Sequence, residues 1–179
     1  MKSLSIDSKI MKKFIETAVH QLEGEWLVMG GTVLPLMGID LRVTVDIDIV
    51  NLDAKTSNRN SLQLMEIAES MGFPVEVINQ SGAFFLSKVE DAKEHLVLFA
   101  ASKKCKIYRP DAYLFLKLKI ARLTQSDLDD CLAFIKKNPD ECKAQKQMIT
   151  KILKDAIKNN SPEVRERSIA LLESINLMA

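Results

Sequence analysis

An apolar run, Trp26-Leu27-Val28-Met29, ends abruptly on Gly30-Gly31. A second stretch, Arg42 to Val50, then alternates apolar and polar residues. A short apolar run bounded by glycine reads as a buried strand, and strict alternation reads as a strand with two unlike faces. Between them Thr32 to Met37 has room for a short helix, which Pro35 confines to about its first turn. Strand, sharp turn, brief helix and strand restrict the chain to a mixed α/β design. The alternation also sets Asp46 and Asp48 on one face, with Val45, Ile47 and Ile49 on the other, the two carboxylates about 7 Å apart by strand rise.

The remaining pattern extends this core in both directions. Asp7 can cap a helix running to about Leu22, with Ile10, Met11, Phe14, Ile15 and Ala18 at helical spacing. Ser61 to Met71 is amphipathic and ends at Gly72. Short strand candidates follow at Val75–Ile78, Ala83–Ser87, His95–Ala101 and Lys106–Tyr108. From Pro110 onward the reading is helical. Asp111 to Leu123 comes first, and Ser126 opens a second helix with Asp129 as its capping-box partner. Asn138-Pro139 and Ser161-Pro162 open two more. The expected organisation is an α/β core over residues 1–110 and a helical region over 111–179.

Composition narrows the classes. Hydrophobic residues make up 47% of the 179, enough for a proper core, and no apolar run approaches the roughly 18 residues of a membrane span. The N-terminal residues lack the apolar centre of a secretory signal. Three cysteines without metal-ligand spacing point to reduced thiols and a cytoplasmic setting. The net charge of +1 conceals an asymmetry: residues 1–100 carry −5 and residues 101–160 carry +7. Solvated helix faces would give such runs, and so would a surface that holds a polyanion.

Candidate chemistry gathers around the Gly-Gly turn. Backbone N–H groups at a glycine turn before a helix can approach phosphate oxygens, and two carboxylates on the next strand can hold Mg²⁺. Thr32 offers a hydroxyl donor or a helix cap. Arg42 can neutralise phosphate charge or pair with Asp40. Lys117 and Lys119 lie on an apolar helix from which long side chains commonly snorkel. Asp127 and Asp130 share one helix face. Phe84, Phe85, Tyr108 and Tyr113 can stack on a base or pack in the core.

Gly30-Gly31-Thr32 followed by Arg42-x-Thr44-x-Asp46-x-Asp48 resembles the signature of the nucleotidyltransferase (DNA polymerase β-like) superfamily. It looks most like the bacterial branch related to abortive-infection type IV toxins. Lys119-Ile120-Ala121-Arg122 before Ser126-Asp127-Leu128-Asp129-Asp130 is similar to a second motif of that branch, although Ser126 stands where the branch has Arg. The preceding Arg109-Pro110-Asp111 fits the strand-to-helix junction there. The likeness spans about residues 25–137.

This resemblance implies a nucleotidyltransferase-like mixed sheet flanked by helices, with a C-terminal helical extension. It implies transfer of an NMP from an NTP to a hydroxyl acceptor, such as tRNA or another RNA in a toxin–antitoxin setting. By the same resemblance, Asp46 and Asp48 hold Mg²⁺ while Gly30, Gly31, Thr32 and Arg42 bind the nucleotide. Lys119 reaches the triphosphate, oriented by Asp127 or Asp130. The superfamily often adds a third carboxylate on the following strand, for which Glu76 is the candidate and Glu94 the alternative. The runner-up reading is a catalytically degenerate binding or regulatory module of the same fold. An antitoxin partner and oligomers formed through the C-terminal helices are further expectations.

Overall fold

The Asp7 carboxylate accepts the Ile10 N–H at 2.8 Å and starts helix α1 (Ser8–Gln21) in the computed structural model, which describes residues 5–53 and 57–177. The first four residues, part of the N-terminus read for a signal, lie outside that range. The chain divides into two units, residues 1–110 and residues 111–179.

The first unit is built on a mixed sheet of five strands among the described residues, in the order β3-β2-β1-β5-β4. These are β1 (Gly24–Val28), β2 (Ile47–Asn51), β3 (Ile78–Asn79), β4 (Leu96–Ala101) and β5 (Cys105–Pro110). β1 runs antiparallel to β2 and parallel to β5, β2 runs parallel to β3, and β4 runs antiparallel to β5. Met11, Phe14, Ile15 and Ala18 of α1 and Leu64 and Ile67 of α3 (Ser57–Ser70) share one buried cluster with Trp26, Val28, Ile47, Ile49 and Ile107 of the sheet. Each aliphatic side chain so buried contributes roughly 1.5–3 kcal/mol, which explains why the apolar positions of the two helices face the strands. A brief helix, α2 (Val33–Leu36), follows the glycine turn, with Pro35 inside it. Beyond α2, Asp40 accepts both the N–H and the hydroxyl of Ser8 at 2.7 Å and ties down the start of α1.

Three expectations for this unit are corrected. The second strand begins at Ile47, not Arg42. Its partner β1 ends at Val28, and the chain beyond turns away through the glycines, so residues 42–46 have no ladder to join. Val45 is correspondingly exposed, not buried with Ile47 and Ile49. Ala83–Ser87 is not a strand: Gly82–Leu86 is helix α4. Val75–Val77 is a 3-10 turn after Pro74, and β3 starts only at Ile78.

The second unit is helical: α5 (Ala112–Ile120), α6 (Gln125–Lys137), α7 (Pro139–Ala144), α8 (Lys146–Asn159) and α9 (Pro162–Leu177). Asp111 caps α5 by accepting the Leu114 N–H at 2.9 Å. Phe115 of α5 stacks on Phe134 of α6 with ring centroids 4.5 Å apart. Leu123, at φ +28°, ends the α5 segment in the left-handed region and makes Thr124 the first extended residue after it. Thr124 therefore forms the capping box with Asp127, and the Ser126–Asp129 box is replaced; Asp129 instead accepts from Gln125 at 3.0 Å. The 140–179 stretch, read as two helices, is broken at Gln145 into α7 and α8 before α9. Among the described residues no helix is long and apolar enough to cross a membrane.

Candidate functional site

The end of β1 places the glycine turn directly against β2. The Met29 N–H donates to the Asp48 carbonyl at 3.0 Å, and the chain then enters a 3-10 turn, Gly30–Thr32. Gly30 has φ +62°, and a Cβ built there would lie 2.1 Å from Oδ2 of Asp48. Only glycine meets both demands, the left-handed backbone and the approach of a carboxylate to the main chain. Gly30→Ala is expected to cost about 2–4 kcal/mol, from a positive φ combined with overpacking. Urea denaturation measures this directly, and a variant as stable as the parent would place Asp48 elsewhere.

Thr32 is fully buried, and its hydroxyl works in both directions. It donates to the Asp46 carbonyl at 3.2 Å and accepts the Asp48 N–H at 3.0 Å. One side chain thus fastens the turn to the backbone on either side of Ile47. Its hydroxyl is engaged inside the protein and makes no side-chain cap to α2.

The two carboxylates differ. Asp46 precedes the strand and is exposed, whereas Asp48 lies on β2 and is half-buried. Asp48 Oδ1 accepts from Asn79 Nδ2 at 2.7 Å, because parallel pairing sets Asp48 opposite Asn79. Asn79 is oriented in turn by the Ser81 N–H, which donates to its Oδ1 at 3.0 Å. A neutral amide therefore occupies the neighbouring-strand position at which a third acid was expected. Glu76 is exposed on the 3-10 turn, before β3 begins. Glu94, just before β4, lies about 14 Å from β2 by strand spacing, three strands across the sheet. Among the described residues no group of three or more His, Cys, Asp or Glu is placed to hold a metal.

Other candidates are more dispersed. Arg42 is exposed in the extended segment ahead of β2, and Asp40, its suggested partner, holds Ser8. Phe84 and Phe85 are exposed on α4, with Lys88 lying 4.0 Å over the Phe84 ring. Tyr108 donates to Glu25 at 3.1 Å, and buried Tyr113 accepts from Lys117 at 2.6 Å. Asn79 carries no signal in the sequence beyond its position, two residues after the apolar Val77.

Lys119, Asp127 and Asp130 come together in the second unit. The Lys119 ammonium donates to Asp127 Oδ1 at 3.0 Å and to Asp130 Oδ2 at 2.8 Å, all three side chains being buried. Arg122 adds two hydrogen bonds to Asp127, at 2.9 and 3.2 Å, while Thr124 donates to it through both N–H and hydroxyl. Burial by itself raises the Asp127 pKa. The Lys119 charge and the hydrogen bonds from Arg122, Lys119 and Thr124 outweigh it and bring the group down to about 2. Cys131 beside this cluster is a free, fully buried thiol pushed well up by burial, as Cys142 is, to about 12. The cluster joins the end of α5 to the start of α6.

Compared with family profiles, curated proteins and solved structures, the chain matches none.

Proposed function

We propose that the first unit binds a nucleoside triphosphate with its Mg²⁺ and transfers the nucleoside monophosphate to a hydroxyl acceptor. The observation that carries this reading is the contact between the Gly30 turn and the Asp48 carboxylate, held in place by Thr32. The donor set suits a magnesium ion delivered with its substrate. Mg²⁺ commonly takes one or two carboxylates, retains waters and completes its shell from phosphate oxygens. Asp46 and Asp48 would supply those two carboxylates.

Bound there, the ion would neutralise the triphosphate and lower the pKa of the attacking hydroxyl. The first N–H groups of a helical turn have no acceptor within it, so those starting at Gly30 suit phosphate oxygens. In the reaction the acceptor oxygen forms a bond to the α-phosphorus, the bond to pyrophosphate breaks, and the hydroxyl proton is lost to solvent. Arg42 is the exposed cation nearest in sequence to the two carboxylates and would offset charge on the leaving group. An RNA end as acceptor is part of the proposal; it rests on the family resemblance and on the +7 of residues 101–160. A cytoplasmic setting belongs to it as well, in keeping with three free, buried cysteines.

Asn79 favours a second reading. With an amide beside Asp48 and no third acid placed there among the described residues, the same site would hold nucleotide without turning it over. Thermal unfolding tests the shared element. An NTP with Mg²⁺, at a hundredfold excess over Kd, is expected to raise Tm by about 5–10 °C, and EDTA to remove the shift. No shift with any of the four NTPs would overturn both readings. A shift without NMP transfer to any RNA, protein or small-molecule hydroxyl would select the second.

A further inference from the structure

The sheet of the first unit has two edges of very different character. β3 is two residues long. β4 is six residues long, Leu96 to Ala101, and contains neither a charge nor a proline. Among the described residues it pairs only with β5, which leaves its outer row of backbone donors and acceptors without a strand. Soluble proteins commonly protect such an edge with lysine, proline, a bulge or a very short strand, because an open apolar edge recruits another strand; of these β4 has only a bulge. Here a register slip between Leu98 and Ala100 makes Phe99 an extra residue, and Leu98 and Phe99 are 54% and 43% exposed. Phe99 also lines a hollow of about 600 Å³ with Ile15, Pro35 and Leu36, rimmed by Lys9 and Lys12. Apolar space therefore continues from the edge onto the surface beside it.

The flanks of the strand identify its occupant. Glu90, Asp91 and Glu94, with Lys93 among them, precede β4, and Lys103 and Lys104 follow it. Glu90, Lys93, Glu94, Lys103 and Lys104 are exposed; Asp91 is half-buried near His95, and Lys104 also reaches Glu23 at 3.0 Å across the surface. The strand thus has an acidic end and a basic end. Laid antiparallel against itself, it sets the acidic end of one copy beside the basic end of the other, twice. Laid parallel, it sets like against like. An antiparallel self-pairing is also a closed two-fold interface, which cannot propagate into a fibre.

We propose that β4 pairs with β4 of a second copy of this chain, joining two sheets into one across a two-fold axis, with Leu98 and Phe99 at its centre. This proposal does not rest on the nucleotide reading. Sedimentation velocity on the full chain tests it. The parent is expected to be dimeric at tens of micromolar, and Leu98→Lys/Phe99→Lys to raise the dissociation constant at least about tenfold. Both replaced side chains are exposed, so the variant should retain the parent circular dichroism. Phe84→Lys, on α4, should leave the dimer intact. Glu90→Lys/Glu94→Lys, which turns the acidic end positive, should weaken association, and adding Lys103→Glu/Lys104→Glu, which turns the basic end negative, should restore it. A parent that stays monomeric at a hundred micromolar would overturn the proposal, and so would a dimer unaffected by the Leu98/Phe99 changes. If Glu90→Lys/Glu94→Lys weakens the dimer and the compensating pair fails to restore it, the antiparallel pairing is wrong and the proposal falls.

Discussion

Lys119→Met is expected to destabilise the second unit by about 3–5 kcal/mol, the usual cost of removing one partner from a buried ion pair. Asp127 and Asp130 are 1% and 0% exposed, so the substitution leaves two carboxylates facing each other without their shared cation. Chemical denaturation followed by circular dichroism measures the loss. Arg122 still serves Asp127, so the double variant Lys119→Met/Asp130→Leu, which also removes the second buried acid, should recover part of the stability. A double variant weaker than the single one would show that Asp130 does more than face Lys119.

The same cluster sets an acid limit. Asp127 has its pKa lowered from 3.8 to about 2 in the folded protein. A depressed carboxylate contributes its full stability above the unfolded value and loses it as the pH falls through the folded one. Stability should therefore decline between about pH 4 and pH 2, and Asp127→Asn should flatten that decline from a lower starting point.

Asp46→Asn and Asp48→Asn should each lower NMP transfer from a labelled NTP by at least about 100-fold, since a metal clamp on the transferred phosphoryl group is worth several kcal/mol. Asp46 is the cleaner probe. Its side chain is exposed and only its backbone carbonyl serves the fold, through Thr32, so the variant should unfold at the parent temperature. In Asp48→Asn the retained Oδ1 can still accept from Asn79, which keeps the β2–β3 contact. Transfer that survives both substitutions would remove the catalytic reading. Loss of transfer with retained NTP binding would separate chemistry from recognition.

The parts legible in the sequence were those set by local rules. The Asp7 cap, the burial of Trp26 to Val28 and the reversal at Gly30 follow from side-chain type and order. What escaped depended on neighbours in space. Alternation at residues 42–46 promised a strand, but β1 had no residues left to pair with it. Ala83–Ser87 has too few residues for periodicity to separate strand from helix, and the segment folds as α4. Thr124 and Ser126 each stand three residues before an aspartate; the left-handed Leu123 chose between them. The Lys119, Asp127 and Asp130 grouping was visible as spacing, yet its closure into a buried network was not. For the carboxylate pair, sequence located the segment but could not supply register, and register is what sets an amide beside Asp48.

That amide has an evolutionary consequence. Asparagine and aspartate codons differ at a single base, so the chain stands one point mutation from a third acid beside Asp48. As it is, the uncharged neighbour leaves two negative charges where three would attract bare divalent ions. On the proposed reading, such a site would favour a cation that arrives already wrapped in phosphate over one free in solution. Asn79 would then act as a filter on what the site loads, and selection could tune it without disturbing the turn, the strand or the threonine that joins them.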